Sequence, residues 1–262
     1  MIVRELADGR LLCMRQTSHA LMAAAFCRHW GNADFAPPTP YDAVLLAVGQ
    51  HDNGWYEWEK EPDIRPDGYP MDFIHGPNGR EKIDLWTRGI TRVGAQHPYA
   101  GLLVRRHATL LYAGYIDRLS DPDERRMNWA FIDAWPGALA DARRLLDGAP
   151  GYVEALRDEA IEANTRLLQF GDTASLQPCV PWPAERRFPH CPVDQNGNFT
   201  EIVMRYDEAT IAFDPWPFGI DAFSVSIHGR VLRGRHYVDH AAYRAALAEA
   251  PLLTLSWRVV PG

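Results

Sequence analysis

The sequence predicts a mainly α protein: a helical core with a short β-hairpin in front of it and a β-rich (α+β) subdomain behind. Three observations predict this. Helical periodicity recurs across the first two thirds of the chain. The composition then turns sharply where Pro178, Pro181, Pro183, Pro189 and Pro192 fall, and short runs of β-branched and aromatic residues follow to the end. The expected division is residues 1–177 as the helical domain and 178–262 as a subdomain packed on it. With 262 residues and 47% hydrophobic content, the chain can bury a full core without covalent staples.

Two short apolar stretches around Asp8-Gly9 read as a hairpin over residues 2–15. Ala, Leu, Met and Phe dominate Ala20 to Trp30, a helix with Thr17 or Ser18 as N-cap and His19 in its first turn. A second helix runs from Tyr41, behind Pro40, to about His51 and stops near Asn53-Gly54. Residues 55–79 hold Pro62, Pro66, Gly68, Pro70, Gly76 and Pro77, so a structured, lid-like loop is expected over the neighbouring helices. Helical spacing returns at 81–93, 98–119, 136–146 and 152–170, for five or six helices in this part of the chain. Strands are expected at 200–206, 209–213, 223–227, 231–237 and 252–260, with one helix at 241–250.

Charge narrows the partners. Lys and Arg number 27 against 34 Asp and Glu, a net -7, which offers no electrostatic footprint for nucleic acid or an anionic membrane. No run of ~20 apolar residues is present to span a bilayer, and the first residues lack an apolar leader core, so a cytoplasmic protein is expected. Cys13, Cys27, Cys179 and Cys191 form no CxxC pair and read as free thiols. GxSxG, Walker A, HExxH and GxGxxG strings are absent, which removes the commonest serine hydrolase, P-loop and Rossmann readings.

Chemistry concentrates instead on imidazoles and carboxylates. The string Gln50-His51-Asp52-Asn53-Gly54-Trp55 puts two metal-capable side chains at the end of a helix whose apolar face includes Val44 and Val48. A borderline divalent ion such as Fe, Mn or Zn takes imidazole nitrogen and carboxylate oxygen together. Alone, a His-Asp dipeptide is more readily a helix C-cap with an Asx turn. His19, however, lies on a largely apolar helix, where an unpaired imidazole is costly to bury. His107 has Leu103, Val104, Leu110 and Leu111 at i-4, i-3, i+3 and i+4. Asp172 ends a stripe carrying Ile161 and Leu168, and a buried carboxylate is normally paired or metal-bound. Any one of these is commonly a satisfied core residue. Four such positions on separate helices point to one centre.

The order His19, His51-Asp52, Asp172 resembles the H…HD…D signature of the HD-domain superfamily, and residues 167–176 are similar to the segment around its final aspartate. The whole chain resembles an uncharacterised bacterial family, a domain of unknown function related to HD proteins. The strings that carry this are QTSHA at 16–20, QHDNGW with Trp58 and Pro62 after it, PYAGLLV at 98–104 leading to His107, and DPWPF at 214–218. The resemblance implies an HD-like helical core and a divalent metal, one or two ions, held by His19, His51, Asp52 and Asp172. His107 would be a further ligand or an acid for the leaving group, with Asp52 and His107 catalytic, and the implied activity is metal-dependent hydrolysis, above all of a phosphate ester. Two-metal HD enzymes carry extra histidines between the HD pair and the final aspartate. His75, His97 and His107 are the candidates, but on one straight helix His97 and His107 lie ~15 Å apart and cannot share an ion.

Two other readings stay open: a non-haem di-iron oxygenase of HD type, which needs more ligands, and a metal- or ligand-binding module without turnover, marked by closed coordination. The expected partner is a small molecule, and Lys60, Arg80, Lys82, Arg105 and Arg106 are available to an anionic one. A homodimer is compatible with the sequence. Trp55, Tyr56 and Trp58 either wall the pocket or pack the loop. His75 could close over the site from its loop, while His228, His236 and His240 read as exposed tail residues.

Overall fold

The hairpin that opens the chain is the first piece of a much larger sheet. In the computed structural model, which describes residues 1–262, β1 (Ile2–Glu5) and β2 (Leu11–Met14) meet across a turn where Gly9 takes a φ of 82°, a left-handed conformation that favours glycine. Nine helices follow: α1 (Gln16–Cys27), α2 (Tyr41–Gln50), α3 (Tyr56–Lys60), α4 (Gly79–Gln96), α5 (Pro98–Tyr115), α6 (Pro122–Asp133), α7 (Trp135–Leu145), α8 (Tyr152–Ala155) and α9 (Asp158–Leu176). The chain ends through β3 (Glu185–Pro192), β4 (Phe199–Tyr206), β5 (Thr210–Asp214), β6 (Phe223–Leu232), α10 (His240–Glu249) and β7 (Leu252–Pro261).

All seven strands join one sheet in the order β1-β2-β6-β7-β5-β4-β3. β2 adds to β6 with Leu12 opposite Val231, and every pairing is antiparallel except β5 with β7. The expected mainly α, HD-like helical core is thereby corrected. The protein is an α+β fold, 49% helical and 20% strand, around a curled seven-stranded mixed sheet. A two-stranded hairpin is marginal by itself. It finds its partner more than two hundred residues later, a pairing that leaves no local trace in the sequence.

Other departures have equally local reasons. The proline-rich stretch after Gln177 contains β3, which lies at the sheet edge, where Pro189 and Pro192 are tolerated. The two strands expected at 223–227 and 231–237 are the single strand β6, along which Val225, Ile227 and Val231 alternate inward with exposed Ser224, Ser226 and Arg230. α6 went unforeseen because its outer face is polar, although Pro122 stands at its start and Asp121 accepts from the Asp123 backbone N–H. Neither Thr17 nor Ser18 caps α1. The helix begins at Gln16, whose N–H donates to Glu59 Oε1 at 2.7 Å, so a buried carboxylate from α3 does the capping.

One continuous core joins helices and sheet: Phe26 of α1 and Phe170 of α9 both meet Phe213 of β5, at 5.8 and 5.5 Å between ring centroids. α1 packs against both α2 and α9. The α1–α9 approach is close enough that a Cβ on Gly171 would sit 2.8 Å from Cys27 Sγ and 3.2 Å from the Ala23 carbonyl oxygen. Glycine to alanine inside an exposed helix normally stabilises by up to about 1 kcal/mol. Here Gly171→Ala is expected to destabilise by about 1–3 kcal/mol, the usual cost of overpacking, in a urea melt. No helix is long and apolar enough to cross a membrane.

Candidate metal centre

Four helices deliver the five residues singled out from the sequence. His19 comes from the first turns of α1, His51 and Asp52 directly follow α2, His107 sits mid-way along α5, and Asp172 lies near the end of α9. The three histidines are 1% exposed or less and Asp52 is 5% exposed. Close backbone packing fixes the turn after α2: a Cβ on Gly54 would lie 2.1 Å from the Leu85 carbonyl oxygen of α4. Asp52 is thereby held against the helix that also carries Lys82 and Trp86.

The polar contacts orient the rings. Ser175 Oγ donates to the Asp172 carbonyl oxygen at 2.9 Å, so it is left to accept from His19 Nδ1–H, also at 2.9 Å. That tautomer turns the Nε2 lone pair of His19 toward Asp52 Oδ2, 2.8 Å away. A lone pair facing a carboxylate at this distance requires a proton or a cation between them. His51 follows the same pattern: Nδ1–H donates to the Val48 carbonyl oxygen at 2.7 Å, and Nε2 is buried without a partner, 3.6 Å from Asp52 Oδ2 and 3.5 Å from Asp172 Oδ1. A backbone carbonyl or hydroxyl behind an imidazole is how metal-binding histidines are usually aimed.

His107 completes the arc. Both its ring nitrogens are buried without partners, and Nε2 lies 3.6 Å from Asp172 Oδ2. Asp172 thus addresses His19 and His51 with one oxygen and His107 with the other. Donor atoms of His19, His51 and Asp172 all fall within 4.8 Å of one another, close enough to share one ion.

Electrostatics reinforce the geometry. Burial disfavours a charged His51, but the Asp52 and Asp172 carboxylates more than offset it and lift the imidazole to about 9. Burial likewise opposes ionisation of Asp52 and Asp172, yet the surrounding histidines hold both carboxyls below their ordinary value. Burial pushes His107 down to about 4, only partly offset by Asp172, so at neutral pH it offers a lone pair rather than a proton. The cluster favours positive charge, and in the metal-free protein the proton that the two carboxylates hold on His51 supplies part of it.

The chain belongs to the family described as Protein of unknown function (DUF3891). The match covers residues 1–234 and so takes in all five site residues. No curated protein and no solved structure matches the chain.

Around the centre of this DUF3891 member lies a cavity of about 320 Å³, reached by Asp52, His107 and Asp172, while His19 and His51 stand behind them. Of the basic residues picked out from the sequence, only Lys82 lines this cavity. Arg80 pairs with Asp84, Arg106 with Glu162, Arg105 stacks on Phe131, and Lys60 is exposed. Trp55 walls the cavity, Trp58 packs on Trp55, and Tyr56 is exposed. His75 pairs with Asp72 at the surface, and His97 caps α5 and meets the Tyr152 hydroxyl, so neither joins the cluster. His236 bonds the Asp67 carbonyl oxygen, His240 pairs with Asp63, and His228 points outward from β6.

Several lining residues escaped the sequence reading: Gln16, Phe73, Tyr112, Tyr115, Trp182 and Arg186. Helical spacing carried a usable signal for some of them. Gln16 is three before His19, Tyr115 is eight after His107, and Trp86 is four after Lys82, so each shares a helix face with a residue already under suspicion. Trp182 and Arg186 lie on or beside the edge strand that the prolines concealed.

Proposed function

We propose that this protein is a metal-dependent hydrolase of a phosphate ester, with His19, His51, Asp52 and Asp172 holding a divalent ion and His107 as a further ligand. The observation that carries this reading is the set of buried imidazole nitrogens, on His51 and His107, that have no hydrogen-bond partner yet face carboxylates 3.5–3.6 Å away. Buried polar atoms call for a partner, and here the unpartnered nitrogens of two residues face the same pair of carboxylates. Three nitrogens and two carboxylates without a thiolate suit Fe, Mn or Zn. The order of the ligands along the chain resembles the HD signature, a resemblance of ligand order and not of fold, and it favours the same chemistry.

A divalent ion, when bound, makes hydroxide accessible near neutral pH and withdraws charge from a phosphoryl oxygen. The chain's residues do the rest. Asp52 reaches the cavity, and its Oδ1, the oxygen that His19 does not engage, is the acceptor for a proton of the attacking water. The water oxygen forms the new P–O bond as the ester P–O bond breaks, and the proton passes on to the departing oxygen. His107, neutral at pH 7, contributes its lone pair.

Turnover of para-nitrophenyl phosphate tests the reading. Hydrolysis is expected to stop on treatment with chelator and to return when Fe, Mn or Zn is restored. Hydrolysis indifferent to chelator, or none in protein carrying stoichiometric metal, would sink it.

A further inference from the structure

The cavity over the centre has a character that the ligand set does not require. Six aromatic rings line it: Trp55, Phe73, Trp86, Tyr112, Tyr115 and Trp182. Among them stand three polar groups with no charged partner. Lys82 is half-buried and makes no ion pair or hydrogen bond. The Gln16 amide oxygen is buried without a partner and the Tyr112 hydroxyl has only the Tyr115 hydroxyl beside it, Gln16 and Tyr112 each being 2% exposed. Arg186, at the cavity wall, is also free of carboxylates, whereas its neighbour Arg187 pairs with Glu201. A desolvated ammonium left unpaired is costly, and burial pulls Lys82 below its ordinary value even with Asp52 and Glu124 acting the other way.

We propose that this cavity recognises an anionic ester carried on a flat ring, with Lys82 binding the anion and the aromatic walls, Trp182 among them, the ring. The proposal deepens the hydrolase reading and rests on it for the identity of the anion. At about 320 Å³ the space equals roughly ten waters of liquid volume, enough for one ring or a fused pair beside one anionic group. An ester of an open-chain polyol would set hydroxyls against ring faces that return no hydrogen bond. A flat ring finds stacking and edge contacts instead. The Gln16 oxygen and the adjoining Tyr112 and Tyr115 hydroxyls give such a ring polar groups to read, the usual source of orientation in an apolar pocket.

Two probes that cannot be hydrolysed, phenylphosphonate and methylphosphonate, separate ring from anion. Calorimetry on the full chain, with metal content measured on the same samples, is expected to give about tenfold tighter binding of the phenyl compound. Lys82→Gln is expected to weaken both by about tenfold while Lys82→Arg keeps most of the affinity, and neither should change metal content. Trp182 is only half-buried, so Trp182→Ala should fold and bring the two probes close to parity. Ring preference in protein devoid of metal would support this proposal while overturning the hydrolase reading. Metal-bearing protein that binds both probes alike, or neither, would overturn the proposal and leave that reading standing. So would a Lys82→Gln variant of unchanged affinity.

Discussion

Asp172→Asn is expected to abolish metal uptake while leaving the protein folded. Asp172 is the one residue in reach of all three histidines, 3.5–3.8 Å from His51, His19 and His107. Asparagine keeps its shape and removes its charge. Replacing partners that merely orient a ligand costs ~10–100-fold in metal affinity, so losing a ligand at the hub should cost at least ~100-fold in a competitive chelator titration. In the metal-free protein the same change removes a carboxylate that stabilises the His51 imidazolium, so His51 should titrate lower, as histidine NMR would register. Were Asp172 only a salt-bridge partner, the imidazole titration would move and the metal affinity would not.

The pH dependence of stability separates a cluster built for a cation from one satisfied by protons. His51, raised to about 9 in the folded protein, contributes stability that is complete below its unfolded value near 6.5 and is lost as pH rises toward 9. His107, lowered to about 4, works oppositely: its contribution is complete above 6.5 and is lost as pH falls toward 4. Asp52 and Asp172, both held below their ordinary value, lose theirs only as pH falls below the ordinary carboxylate range. His51 alone should therefore remove on the order of 2–3 kcal/mol of stability from the metal-free protein between pH 6.5 and 9, while the buried Met1 amino group, lowered by desolvation, acts in the opposite sense up to about pH 8 with or without metal. Saturating metal takes the place of the His51 proton and should erase that alkaline loss. Apparent metal affinity should rise at least about tenfold per pH unit between 6.5 and 9, the His51 proton being displaced by the ion. Thermal melts across this range, with and without chelator, read both effects. An alkaline loss that survives saturating metal would mean that no ion takes the place of the proton.

The convergence of the candidate site's residues was more legible in the sequence than the fold, and the difference is physical. His19, His51, His107 and Asp172 interrupt apolar helix faces, and a polar group on such a face must answer to something buried. That signal is local, within a turn or two of each residue, and the four helices do bring these groups together with Asp52. The sheet has no such local signature. β2 pairs with β6, and β7 inserts between β6 and β5, so its order depends on long-range packing that no window of residues expresses. β3 was hidden because proline argues against a strand everywhere but at an edge. The aromatic walls stayed unread for a further reason: an aromatic residue on a helix is usually core, and only the assembled cavity distinguishes Tyr112 or Trp182 from the rings packed beneath the sheet.

Elemental analysis of the full chain purified without chelator, beside His51→Ala, bears most directly on the central claim. Convergence of three imidazoles and two carboxylates on one cation predicts about one Fe, Mn or Zn per native chain and less than ~10% of that in the variant, in keeping with the loss of a ligand. Equal metal in both proteins, or none in either, would contradict it.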